Sequence, residues 1–138
     1  MQAIAQTIIP LFLILGLAST GRGDIFDLRH LPTGKSVTLV TAARTKLALN
    51  SRVILSATDS PQTVSFGLEG PSKAPIKLGI YDRHQERVQY IKLQGGKHFW
   101  YPFKGLSSIL VIAENTSAKT DHGAYILIKS DKPLTLSP

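Results

Sequence analysis

PIKLGIYDRHQERVQYIKLQGGKHFWYPFKGLSSILVIAENTSAKTDHGAYILIK, running from Pro75 to Lys129, is the stretch that decides the fold. It alternates apolar runs with turn signals, the pattern of an antiparallel sheet. In PIKLGIYD, Ile76, Leu78 and Ile80 fall on one side of an extended chain, and Lys77, Gly79 and Tyr81 on the other. Successive side chains of a strand point to opposite faces, so one face belongs to a core and the other to water. The polar run Arg83-His84-Gln85-Glu86 reads as a turn, and RVQYIKL as the return strand. Apolar parity changes there between Tyr90 and Ile91, which predicts a bulge or burial on both faces. Gly95-Gly96 predicts a tight hairpin, because glycine reaches positive φ without a steric cost. KHFWYPF follows as a strand, Lys104-Gly105 as a turn, and Ser108 to Ala113 (SILVIA) as an almost wholly apolar central strand. Glu114 to Gly123 is a polar loop, and AYILIK closes the set.

Toward the amino terminus the pattern continues. QTVSFGL alternates through Val64, Phe66 and Leu68, while RVILSA and SVTLVT are rich in β-branched residues. Asp59-Ser60-Pro61 and Asn50-Ser51 are turn signals. Thr41 to Leu49 (TAARTKLAL) is ambiguous: it holds helix formers, yet Leu47 and Leu49 alternate. IFDLRHL predicts a first strand, with Ile25, Asp27 and Arg29 opposite Phe26, Leu28 and His30, and Pro32 and Gly34 mark a turn. Glu69 to Pro75 (EGPSKAP) divides the domain into halves but is too short for an interdomain linker. The residues after Ser130 hold two prolines and read as a ragged end. Eight to ten short strands without a convincing helix predict an all-β fold, an antiparallel β-sandwich of jelly-roll or immunoglobulin-like wiring. The expected organisation is a signal segment over residues 1–20, one β-sandwich domain over 21–132 and a tail over 133–138.

Ile8 to Ala18 is an unbroken apolar run, and no charged side chain precedes Arg22. Such a run falls short of the roughly 20 residues that cross a bilayer and fits the core of a signal peptide. Cleavage is expected after Ala18, with Gly21 as a second position. The missing Lys or Arg before the run does not fit a signal peptide, which keeps an uncleaved anchor and a buried apolar element as alternatives. The chain has 138 residues, enough for one core, and 43% apolar content, as folded domains have. It has no cysteine, which excludes disulfides, thiolate zinc sites, cysteine nucleophiles and a lipidated amino-terminal cysteine. Export without cysteine is typical of a bacterial envelope, so the expected location is secreted or periplasmic. The net charge of +7 favours polyanionic surroundings, although the sixteen Lys and Arg are scattered with no run of three, as for plain solubility.

Most short motifs fail on their own chemistry. Arg22-Gly23-Asp24 has the residues of an integrin-binding tripeptide and reads as a solvated terminus. Gly34-Lys35-Ser36 resembles the end of a phosphate-binding loop, but the position that needs the first glycine is Arg29. Leu31-Pro32-Thr33-Gly34 lacks the spacer of a sortase signal and sits at the wrong end. Asn115-Thr116-Ser117 is a formal glycosylation acceptor. No pair among His30, His84, His98 and His122 has the spacing of a local metal clip. Asp82, His84 and Glu86 cluster at one turn, but Arg83 and Arg87 among them repel a cation, so no metal site is expected. Asp121-His122 could serve a small secreted hydrolase, yet no serine stands in a Gly-x-Ser-x-Gly elbow.

Six of the ten aromatic residues lie between Tyr81 and Phe103, which makes His98 to Phe103 the most informative run. On a strand, Phe99, Tyr101 and Phe103 share one face and His98, Trp100 and Pro102 the other. Phe99 and Phe103 are expected in the core, and Trp100 outside, where a flat ring suits sugars or protein partners. Packing of Trp100 under a loop is the rival expectation. Pro102, which cannot donate to a ladder, predicts an edge strand. The residues expected to bind a ligand are Trp100, His98, Tyr101, Lys97 and Lys104. The function expected is that of an exported, non-catalytic module with a binding or structural role and no cofactor. The partners expected are carbohydrate, an anionic envelope polymer or another surface protein, and not nucleic acid. A secreted hydrolase, a polyanion-binding protein and a surface-assembly subunit are the alternatives.

Overall fold

The computed structural model describes residues 25–39, 44–70, 75–83, 86–115 and 124–138. The apolar segment at 1–20, Arg22-Gly23-Asp24, His84 and Asp121-His122 lie outside them. Among the described residues are eleven strands: β1 (Ile25–Asp27), β2 (Val37–Leu39), β3 (Arg44–Ala48), β4 (Ser51–Ala57), β5 (Thr63–Glu69), β6 (Ile76–Asp82), β7 (Arg87–Leu93), β8 (His98–Pro102), β9 (Ser108–Asn115), β10 (Tyr125–Ser130) and β11 (Leu134–Ser137). They form a six-stranded sheet in the order β2-β11-β4-β9-β6-β7 and a five-stranded sheet in the order β1-β3-β10-β5-β8. The inner residues of both sheets make one apolar cluster, including Leu55, Ile80, Val111 and Leu136 from one and Leu47, Phe66, Ile126 and Ile128 from the other. The chain is therefore an all-β sandwich.

The wiring is nested. β2 pairs with β11, β3 with β10, β4 with β9 and β5 with β8, every pair antiparallel. Consecutive strands alternate between the sheets on the way out and on the way back, and the β6–β7 hairpin is inserted where the path reverses. Residues with positive φ stand at several of the switches. Asn50, between β3 and β4, has φ 64°, and its N–H donates to the Ala113 carbonyl at 2.6 Å. Gly96 and Gly105, at φ 84° and 65°, flank β8. Gly95-Gly96 thus carries the chain from one sheet to the other instead of closing a hairpin. Two glycines satisfy the local geometry of either connection, and only the burial of β8 against β5 decides between them.

Most strands fall where alternation places them. Ile76, Leu78 and Ile80 are buried, and β9 is a central strand between β4 and β6. Within TAARTKLAL, Arg44–Ala48 follows alternation, with Thr45 and Leu47 buried in β3; residues 41–43 lie outside the described residues. Several readings are corrected. The pairing of β7 with β6 runs from Ile76↔Leu93 to Asp82↔Arg87 without a break, so no bulge exists. Val88 and Tyr90 point outward with Tyr81 and Gly79 of β6 and are exposed, so β7 is not buried on both faces either. The first strand stops at Asp27, whose carboxylate accepts from the Arg29 N–H at 3.0 Å and starts a 3-10 turn over Leu28–His30. β1 pairs parallel with β3, so the sandwich is not wholly antiparallel. The chain visits the other sheet at β2 before returning, and such a crossover permits parallel pairing. The residues read as a ragged end form β11 between β2 and β4, with Leu134 and Leu136 buried. Pro133 precedes the strand, where its missing N–H costs no ladder bond.

One polar side chain ties the core together. Gln62, 1% exposed, accepts from the Thr58 and Asp59 N–H groups through Oε1 at 2.8 and 3.2 Å. Its Nε2 donates to Ser130 Oγ at 2.9 Å and the Pro133 carbonyl at 3.0 Å. A buried amide is tolerated when its bonds are made in this way.

Candidate functional site

The five-stranded sheet presents its outer face through the residues that alternate with the core. Directly paired residues of neighbouring strands stand on one face. Val64 and Phe66 are buried in β5, and they pair with Tyr101 and Phe99. Trp100 pairs with Ser65, and His98 with Gly67, on the other side. β10 continues these two rows with Lys129 opposite Ser65 and Leu127 opposite Gly67. β3 adds Arg44 opposite Lys129 and Lys46 opposite Leu127. One row therefore reads Trp100, Ser65, Lys129, Arg44 across four strands, and the next reads His98, Gly67, Leu127, Lys46.

Trp100 is 65% exposed on an edge strand, as Pro102 in the same strand requires. Among the described residues no cation or second ring engages its indole. His98 lies against Gly67: a Cβ added there would come within 2.7 Å of the His98 Cδ2. Glycine at that position is what lets the imidazole lie flat on the sheet. Lys46 places its Nζ 4.7 Å from the Tyr125 ring centre, a cation–π contact that holds the ammonium over the face. Two carboxylates share the face. Glu69 pairs with Tyr125 at one end, and Asp27 pairs with Lys46 at the β1 edge. Asp27 is joined to the Arg29 guanidinium at 2.7 Å, and the hydrogen bonds of Arg29 pull its carboxyl down to about 2.

Of the expected ligand-binding residues, the structure brings Trp100 and His98 together. Tyr101 is on the inner face, where its hydroxyl donates to Asp82 Oδ2 at 3.1 Å and its ring meets Phe103 edge-on at 5.6 Å. Burial first, and Asp82 second, push the Tyr101 hydroxyl up to about 12. Lys97 and Lys104 are exposed in the turns at either end of β8, outside the two rows. Arg44, Lys46, Gly67 and Lys129 were missed because they lie on β3, β5 and β10, remote in sequence. The signal for two of them was present: if TAARTKLAL is a strand, Arg44 and Lys46 must share a face. The isolated glycine in QTVSFGL likewise marks a close approach.

Other candidates lead elsewhere. Asp82 is buried at the end of β6, and Glu86 stands exposed in the turn at φ 54°. Among the described residues no group of three metal-ligating side chains forms, and no helix is long and apolar enough to cross a membrane. Two hollows of about 240 and 250 Å³ lie on the six-stranded sheet, lined by Arg52, Ile54, Arg83, Leu110 and Pro138 and by Ile76, Lys77, Tyr90, Ile91 and Lys92. Both are smaller than the roughly 300–1,000 Å³ of small-molecule sites, and neither includes Trp100.

No protein-family model and no curated protein matches the chain. Among solved structures it is similar to Pseudomonas aeruginosa AlgX, at 12% sequence identity and a TM-score of 0.33, over 91% of this chain and 34% of that one. The chain thus spans about a third of the length of AlgX, and a likeness of that degree assigns neither fold family nor function.

Proposed function

We propose that this chain is an exported, non-catalytic binding module of the bacterial envelope or extracellular space, which holds carbohydrate on the outer face of its five-stranded sheet. The nested strand pairing supports a jelly-roll assignment, an architecture that lectin domains also use. The exposed indole of Trp100 carries the reading, since it shares one face with His98, Lys46 and Lys129. A flat aromatic ring gives a sugar an apolar surface to stack on, and the surrounding polar groups orient it. Export rests on the apolar run from Ile8 to Ala18.

The test is a binding screen against soluble and immobilised glycans. Trp100→Ala should weaken retention about tenfold or more, a loss of ~1.4 kcal/mol or above, with the thermal midpoint unchanged. A variant that unfolds globally, or one that binds as well as the parent, refutes the exposed platform. Intact mass in separated cell fractions tests export: a soluble extracytoplasmic form lacking its first 18–21 residues is expected.

A further inference from the structure

Resting on that reading, we propose that the ligand is an acidic polysaccharide whose chain runs across the strands, one sugar on Trp100 and a carboxylate over Lys129. Three observations carry this. The row Trp100, Ser65, Lys129, Arg44 crosses four neighbouring strands, with no acidic residue in it. Lys129 is exposed and makes no ion pair among the described residues. Strands lie about 4.8 Å apart, which puts the backbone of Lys129 about 10 Å and that of Arg44 about 14 Å from Trp100 across the sheet. A linked pair of pyranose rings covers the first distance, so a polymer seated on the indole meets a cation within its next residues.

The small floor between these groups fits a chain lying flat. Ser65, the small residue between Trp100 and Lys129, is 2% exposed, and Gly67 in the next row lies under the His98 ring. The same geometry disfavours single-stranded nucleic acid, which needs a succession of aromatic platforms for its bases. Among the described residues of this face Trp100 is the ring that no cation engages, since Tyr125 carries Lys46. The net charge of +7 adds a long-range attraction of the same sign.

The experiment compares two polymers on the protein purified from its native fraction: a soluble polyuronate, and the same polymer with its carboxyls reduced to primary alcohols. The polyuronate should bind about tenfold or more tightly than its reduced form, and its affinity should fall as salt rises. Lys129→Glu should remove most of that preference while leaving the thermal midpoint unchanged. Lys92→Glu, on the opposite sheet, should leave the preference intact. Equal binding of both polymers, or a polyuronate affinity indifferent to Lys129→Glu, would overturn the acidic ligand and leave the carbohydrate module standing. Binding of neither polymer, with no other glycan retained, would remove the module as well. Tighter binding of a single-stranded oligonucleotide would replace the polysaccharide with nucleic acid.

Discussion

The two outer faces of the sandwich obey one rule of alternation and both carry an exposed ring beside cations, but they engage those rings differently. The five-stranded sheet shows Trp100, His98, Lys129, Arg44 and Lys46. The six-stranded sheet shows Ile54, Leu110 and Ile112, half-buried beside Tyr81, with Val88 and Tyr90 exposed at its edge. Each face has an aromatic ring lying on a glycine of the neighbouring strand: His98 on Gly67 in one, Tyr90 on Gly79 in the other, where an added Cβ would stand 3.3 Å from the Tyr90 ring. The difference lies in what else engages the rings. Lys77 places its ammonium 4.6 Å from the Tyr90 ring centre and pairs with Glu114 at 3.7 Å. Trp100 keeps its ring open, so exposure alone does not mark a site: Tyr90 is 62% exposed and Trp100 65%.

The comparison breaks most severely if one sheet is dismantled. Ending the chain at Asp131 removes β11, which fills the gap between β2 and β4 and buries Leu134 and Leu136. Loss of a central strand should abolish the cooperative unfolding transition, followed by circular dichroism in urea. Retention of a sharp transition would show β11 to be dispensable. Gln62→Ala is a milder cut at the seam between the β4–β5 and β10–β11 connections. It leaves Thr58 and Asp59 N–H groups and Ser130 without their buried partner, and should cost about 1–3 kcal/mol in urea unfolding.

The two exposed rings sharpen the contrast directly. Trp100→Ala and Tyr90→Ala should each change stability by about 0.5 kcal/mol or less, as surface changes do. Only the first should weaken glycan retention; equal losses from both would erase the distinction between the faces. Tyr101 and Asp82 link the sheets from within, and burial of the Tyr101 hydroxyl, with its bond to Asp82, predicts an alkaline effect. The Tyr101 hydroxyl titrates higher in the folded protein, from 10.0 to about 12, so its contribution is complete below pH 10 and is lost as the pH rises through 12. The stability difference between the parent and Tyr101→Phe should shrink over that window. Asp27 gives the smallest effect, at the exposed β1 edge. Its carboxyl is held near 2 against an ordinary 3.8, so the stabilisation is present above pH 4 and fades as the pH falls through 2. Asp27→Asn should flatten that acid limb in a thermal-midpoint series; an unchanged limb would mean that the Arg29 pair contributes nothing.

Alternation along the chain settles most strands and the face their residues take, because side-chain direction is a property of the extended backbone alone. It puts Ile76, Leu78 and Ile80 inside, Trp100 on an outward face with its covering left open, and β8 at an edge through Pro102. Which strands meet is settled by packing between distant parts of the chain. Thr38 and Thr135 share a hydrogen bond of 2.9 Å across the β2–β11 pair, 97 residues apart. Nothing local to either residue names its partner. The same gap explains the Gly95-Gly96 sheet switch, the strand hidden in an apparent tail and the cations that join Trp100. A turn signal states that the chain bends, but the sheet it bends toward is chosen by burying apolar faces contributed from the whole chain.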